Sequence, residues 1–461
     1  MTARLALALL LATSVHADEV EQRLRARLAS SERLMQRLVK LTDGTGPRLT
    51  GSLALTEAHR YCAGEFQRMG LAVALEPFEL PVSWTRGPAS ARLLRPSEQE
   101  LPVAQVGWTP ATPGPIEGRL VRFAPRDASQ MAAFVGKLSG AIVLLGEPAT
   151  DLEPLMMEPP LRLQRPPKSV AEAAEPTAEW LAFLQAEGAA AYLCDSGKPP
   201  GLFNMDARAE AAFRRRSLLS GAFVTHEQYL QLFRLAAREA VARLSLEGRL
   251  GPAAEVLNTR ADLHGREAPD EIVLVAAHLD SWDLATGATD DAAGVAAVME
   301  AAALLSEGGA RPRRSIRFAL FSGEEQGLLG ARAYVARHRE ELARHSAAFV
   351  MDTGSGRIDG IALQGRAEVE PTLRRVLEPL RALGVVENDL RREGGTDHLP
   401  LDAAGVPAFV VEQVQYDYSR NHHSQSDTLD KVHPEDLQQA AVVLALLAYR
   451  VAELPDQLPR R

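Results

Sequence analysis

The sequence predicts an α/β fold, a central sheet flanked by helices and interrupted by a β-rich insert. Three observations carry this. After Pro252, apolar runs of strand length alternate with helical periodicities, the pattern of a sheet with both faces covered. Between about Pro81 and Arg249, short apolar runs are separated by Pro- and Gly-rich pieces. The 461-residue chain is also too long for one ordinary core. The expected organisation is a leader over 1–17, a first part of the main domain over 18–80, an insert over 81–249 and the rest of the main domain over 250–461.

Arg4, the apolar stretch Leu5 to Thr13 and Val15-His16-Ala17 read as a signal peptide with its cleavage site. The stretch is well short of the ~20 apolar residues that a membrane span needs. The mature chain is therefore expected to be exported, secreted or periplasmic, without a span. Asp18 to Leu41 carries leucines near helical spacing until Gly44-Thr45-Gly46-Pro47 breaks it. Thr56 to Met69 reads as a second helix, with Thr56 as N-cap and Gly70 just past its end. Leu71 to Leu80 reads as a strand made irregular by Pro77.

In the insert, Leu120–Phe123, Ala141–Leu145 and Ala189–Leu193 read as strands and Thr177–Glu187 as a helix. Pro154–Pro160 and Arg165–Pro167 read as loop. No dense set of histidines and carboxylates lies there. Beyond it, strands are expected over Ile272–Ala277, Ser315–Phe321, Ala347–Met351 and Ala408–Val411. Helices are expected from Asp291 to Glu307 and from Pro434 onward. Pro371 to Leu383 reads as a solvated helix disturbed at Pro379.

The composition, 46% hydrophobic and 24% charged, is that of a folded chain. A formal charge of −9 argues against nucleic acid as a partner. The interior basic run Arg214-Arg215-Arg216 reads as a solvated turn. Cys62 and Cys194 are read as separate buried thiols, and no clustered cysteine pair exists to make a thiolate metal site.

The chemistry concentrates in the last part of the chain. His278 closes an apolar strand, with Asp280 two places on to orient its ring. Asp290-Asp291 precede a helix, Glu324-Glu325 and Asp352 follow strands, and His422-His423 come last. Ligands gather at the carboxyl ends of strands in open α/β sheets. Imidazole and carboxylate donors without thiolate suit zinc, and a pair of ions about 3.5–4 Å apart can clamp attacking and leaving groups. In this reading Asp290 bridges, His278 and Asp352 complete one ion, His423 and Glu325 complete the other, and Glu324 handles the proton. Asp291 is the alternative bridge and otherwise caps the helix. Asp397 and His398 either face substrate or are structural.

Several stretches resemble one family, the co-catalytic zinc exopeptidases, and within it the secreted plasma glutamate carboxypeptidase branch. They are His278-Leu279-Asp280-Ser281-Trp282-Asp283, Gly287-Ala288-Thr289-Asp290-Asp291, Glu324-Glu325-Gln326-Gly327, Gly395-Thr396-Asp397 and His422 to Thr428. The early Gly46 to Ser52 belongs with them. The resemblance implies a mixed-sheet exopeptidase domain interrupted by a protease-associated domain. It implies two zinc ions held by His278, Asp290, Glu325, Asp352 and His423, with Glu324 as general base and Asp280 behind His278. It also implies short peptide substrates with a free N-terminus, and a homodimer. The rivals are a hydrolase or cyclase of another amide on the same scaffold, and a silent binding protein.

Overall fold

Continuous apolar runs become the middle of the main sheet, where both faces are covered. The computed structural model describes residue 22 and residues 32–150, 178–198, 200–205, 207–216, 218–416 and 418–461. The leader and the loops expected at 154–160 and 165–167 lie outside the described residues, as does most of the first helix before Glu32.

The central strands are β1 (Ala72–Leu80), β2 (Ala254–Leu263), β3 (Ala268–His278), β4 (Arg314–Phe321), β5 (His345–Met351), β6 (Ile358–Ala362), β7 (Glu387–Asp389) and β8 (Ala408–Gln413). Their spatial order is β1-β2-β4-β3-β5-β8-β6-β7. The run β4-β3-β5-β8 is parallel, and antiparallel pairs flank it, so the sheet is mixed. Alternation along β3 sends Val273, Val275 and Ala277 into one core and Leu274 and Ala276 into the other.

The first core is built on α3 (Ala293–Glu307), whose residues Ala293 to Leu305 are all buried. Packed around it are α1 (Glu32–Val39), α2 (Leu53–Arg68) and α6 (Pro434–Ala452). The other face carries α4 (Leu329–Arg337). Helix α5 (Glu370–Leu377) tightens into a 3₁₀ turn over Glu378–Leu383, where Pro379 falls.

Local choices differ from the expectations at three places. Ser52, not Thr56, caps α2, its hydroxyl accepting from the Leu55 N–H at 3.1 Å. Earlier capping adds a turn and buries Leu55. Pro77 leaves no irregularity: β1 pairs with β2 in unbroken register from Ala72↔Asp262 to Leu80↔Ala254. An edge strand has one side free of ladder bonds, and there the missing N–H costs nothing. Arg214 and Arg215 are not turn residues but end the helix Ala207–Arg215, with Arg214 paired to Glu210.

Eight strands that lie between Ala89 and Leu246 form a second sheet. Strands Ile116–Phe123, Ile142–Leu145, Ala191–Asp195 and Gly221–Val224 run parallel in it, and helices Ala178–Ala186, Ala207–Arg215 and His226–Leu235 accompany them. A short ribbon, Trp84–Thr85 against Arg249–Leu250, closes the two crossings between the sheets. Cys62 and Cys194 are free and buried.

Arg37 of α1 pairs with Glu300 of α3, both nearly inaccessible to solvent. Removing one partner of a buried ion pair costs about 3–5 kcal/mol, whereas replacing both by apolar groups is close to neutral. Arg37→Met should therefore lower the urea midpoint sharply, and Arg37→Met with Glu300→Leu should recover most of it. A second stability effect comes from His345, held to about 4 by burial, with Arg317 nearby. The unfolded chain takes up that proton near 6.5 and the folded chain refuses it until about 4. Stability should therefore fall as pH drops through this window, by roughly 3 kcal/mol at most. His345→Gln should flatten the slope in denaturation curves collected from pH 7 to 4.

Candidate metal centre

β3 delivers His278 as its last residue, β5 ends one residue before Asp352, and Glu324-Glu325 follow β4. These are neighbouring parallel strands, so their carboxyl ends converge. Asp290 and Asp291 lie in the turn before α3 in non-helical conformations. Asp291 supports the helix rather than the cluster's centre. It accepts from Gly294 N–H at 3.1 Å and from His278 N–H at 3.3 Å. A Cβ on Gly294 would stand 2.2 Å from the Asp291 carboxylate, so this close approach requires glycine.

Asp290 stands between two imidazoles. His278 Nε2 is 3.0 Å from Asp290 Oδ1 and 3.4 Å from Asp352 Oδ1. His423 Nε2 is 3.3 Å from Asp290 Oδ2 and 3.0 Å from Glu325 Oε2. Two groups of donor atoms result, His278 with Glu324 and Asp352, and Asp290 with Glu325 and His423, each set within 4.8 Å of one another. Glu324, read from sequence as standing free of the ions, lies within reach of the first group.

Asp280 does more than orient His278. Its carboxylate is 3.6 Å from His278 Nδ1, while its backbone carbonyl is nearer, at 3.1 Å. The carboxylate accepts from the Glu324 N–H at 3.3 Å, the Glu325 N–H at 3.4 Å and the Thr50 hydroxyl at 2.9 Å. It thereby fixes the backbone of the glutamate pair.

The electrostatics follow from packing acids together in a dry place. Burial opposes charge on His278, yet Asp352, Asp280 and Asp290 raise it well above its ordinary value. His423 is likewise raised to about 10, Glu325 and Asp290 overcoming burial. Burial disfavours ionised Asp290, but the two imidazoles hold it well below the usual carboxylate range. Burial and Asp352 push Glu324 well up, and burial lifts Glu325 to about 7. Asp290 Oδ2 and Glu325 Oε1 are buried without hydrogen-bond donors among the described residues. Crowded carboxylates with undonated oxygens, facing imidazole nitrogens, fit divalent zinc.

Four residues outside the expected site set belong to this centre. Arg48, fully buried, donates to the carbonyls of Leu279 (2.8 Å), Thr286 (2.7 Å) and Gly287 (2.9 Å), pinning the loop that carries the aspartates. Thr50 holds Asp280. Asp427 accepts from Thr289 N–H (2.6 Å), Thr289 Oγ1 (2.8 Å) and Asp290 N–H (3.2 Å). Half-buried Tyr418 packs against His422 with tilted rings at 5.0 Å, its phenol raised well above 10 by burial and by Asp290 and Asp352. Arg48, Thr50 and Asp427 stand inside stretches that carried the family resemblance; Tyr418 stands outside them.

Asp397 is fully buried, with both oxygens lacking a hydrogen-bond donor among the described residues. His398 is buried, with Nε2 3.1 Å from the Glu393 carbonyl. Trp282 meets His423 edge-on at 6.2 Å, and Asp283 receives a two-pronged contact from Arg86 at 2.9 and 2.7 Å.

Residues 258–448 match the family model described as peptidase family M28. Carboxypeptidase Q of Mus musculus is 31% identical over 432 residues, covering 93% of this chain and 87% of the relative. The Homo sapiens carboxypeptidase Q is 29% identical, covering 94% and 88%. Among solved structures, a peptidase M28 precursor from Shewanella amazonensis superposes with a TM-score of 0.80 at 29% identity, covering 97% of this chain and 98% of that one. A zinc aminopeptidase from Bacillus subtilis shares the fold at 20% identity, with a TM-score of 0.68 and coverage of 90% and 94%. Fold and relatives together define the class, the zinc-dependent metallopeptidases. Within that class, the chain belongs to peptidase family M28.

The Asp280 contacts generate a test. Asp280→Asn turns an amide N–H₂ toward backbone N–H donors of Glu324 and Glu325. It should cost about 1–3 kcal/mol in urea unfolding and reduce the zinc retained after dialysis.

Proposed function

We propose that the chain is an exported di-zinc exopeptidase that acts on short peptides with a free N-terminus, as an aminopeptidase or dipeptidase. The observation that carries this reading is the Asp290 carboxylate, with one oxygen toward each of two imidazoles and further carboxylates on both flanks. His278, Asp290 and Asp352 would hold one ion, and Asp290, Glu325 and His423 the other. Zinc, when bound, supplies Lewis acidity toward the scissile carbonyl and the attacking water.

The chain's own groups do the rest. Glu324, buried and raised, takes the proton of the attacking water at its carboxylate and delivers it to the leaving nitrogen. Asp280 keeps it in place through the backbone. Tyr418, held as a neutral phenol, offers an O–H to negative charge developing on the substrate oxygen. Tyr418 suits this role better than His422, the immediate neighbour of His423. The His422 Nδ1 lies 3.1 Å from the Ser419 carbonyl and 3.3 Å from Lys198 Nζ. Surplus carboxylates around the ions suit a protonated α-amine, which supports reading the peptide from its N-terminus.

Export rests on the composition of residues 1–17. No described helix is long and apolar enough to cross a membrane. Residues 81–249 are taken as a protease-associated-like insert without a catalytic centre of its own.

Glu324→Gln should keep its zinc and lose roughly 10²–10⁴-fold in kcat on aminoacyl p-nitroanilides and dipeptides. Chelator should abolish wild-type activity, and added zinc should restore it. N-acetylated versions of the same peptides should resist cleavage. Full activity in Glu324→Gln removes the general-base role, and cleavage of blocked peptides removes the N-terminal reading.

A further inference from the structure

His278 and His423 are held in different ways. The other ring nitrogen of His278 faces the Asp280 carbonyl at 3.1 Å. That is the usual means of fixing a metal-binding imidazole. Among the described residues, Nδ1 of His423 has no hydrogen-bond partner, and the residue sits at a φ of 58°, in the left-handed region. Its ring and backbone must be fixed by something else.

Much of that support comes from the segment between β1 and β2. Met205 N–H donates to the His423 carbonyl at 2.9 Å. Lys198, buried, donates through its ammonium to the His422 carbonyl and to the Arg420 carbonyl at 3.4 Å, and lies 3.3 Å from His422 Nδ1. Phe203 N–H donates to Gln425 Oε1 at 2.8 Å, and Gln425 Nε2 returns a bond to the Gly201 carbonyl at 3.1 Å. The rings repeat the pattern. His422, tied to Lys198, packs its ring against that of His423, tilted by 38° at 4.6 Å between centroids. On another side Trp282 meets His423 and is itself met edge-on by Trp108 at 6.0 Å. Gly107 leaves the space for that contact, since a Cβ there would lie 3.1 Å from the Trp282 ring.

We infer that the stretch following the strand Ala191–Asp195 is a clamp on His423, and that Lys198 is a positioning residue for the ion bound by Asp290, Glu325 and His423. The inference rests on the two-ion reading above and adds to it that the insert completes one of the two ion sites. The clamp reaches the second group alone. His278 and Asp352 are carried by β3 and the end of β5 and have no described contact with residues 198–205. Lys198 touches no reacting atom in this account. It acts through the backbone of His422 and through the His422 ring.

The test is the zinc content of wild type, Lys198→Met and Lys198→Arg after dialysis against rising concentrations of a zinc chelator. Wild type should hold two equivalents. Lys198→Met should release one of them at a chelator concentration roughly tenfold lower, the scale of losing an outer support of a metal ligand. The other should leave as in wild type, and Lys198→Arg should restore most of the difference. A Lys198→Met curve that superposes on wild type overturns the inference, as does equal weakening of both equivalents. Gln425→Ala provides a second variant that removes only the bridge to Phe203 and Gly201. It should shift the same equivalent, and its failure to do so counts against the clamp even if Lys198→Met does not fold. A wild-type protein holding fewer than two zinc ions overturns the two-ion reading itself, and the inference falls with it.

Discussion

A single buried carboxylate, that of Asp290, is shared between two imidazoles, and the rest of the centre is arranged to make that sharing possible. Burial opposes charge on Asp290, and His278 and His423 hold it well below the usual carboxylate range. Glu324, Glu325, Asp352, Asp397 and Asp427 add to a concentration of buried acid around the two imidazoles. Arg48 is the buried guanidinium nearby, and it is spent on three loop carbonyls. Such crowding of buried acid is what a bound divalent cation relieves, and it fits a zinc-dependent metallopeptidase.

The sheet contributes convergence, and the turn before α3 contributes direction. Parallel neighbours β4, β3 and β5 end side by side, so residues 278, 324 and 352 meet although they are far apart in the sequence. Adjacent aspartates then divide the work. Asp290 points into the cluster while Asp291 binds the first turn of α3 and the His278 N–H. Asp427 grips the backbone of Thr289 and Asp290, tying the end of the chain to this turn.

Much of this was legible in the sequence, for identifiable reasons. Continuous apolar runs such as Ile272–Ala277 can hardly be anything but buried strands, and a histidine closing such a run is conspicuous. The mixed central sheet and the family followed from these and from the motif stretches. What the sequence hid was pairing at a distance. Nothing near Arg37 announces Glu300, and nothing near Lys198 announces His422. Tyr418 lies outside every stretch that resembles the family, so no motif points to it. Local competition misled at α2, where Thr56 and Ser52 are both good caps and burial of Leu55 favours the earlier one. Pro77 was read as a disruption because sequence does not say which strand lies at a sheet's edge.

The unbroken pairing of β1 with β2 has a consequence for how the molecule is made. Residues 81–253 separate the two strands, so on the ribosome Ala72–Leu80 emerges long before the partner it needs. Closing so long a gap by diffusion alone is slow. An intervening sheet that assembles first removes the difficulty, because the ribbon Trp84–Thr85 with Arg249–Leu250 brings the two chain crossings together at one strand spacing. With that ribbon formed, the chain ends that enter β1 and β2 lie side by side, so the distance the main sheet has to close is set by a strand pair and not by the length of the insert.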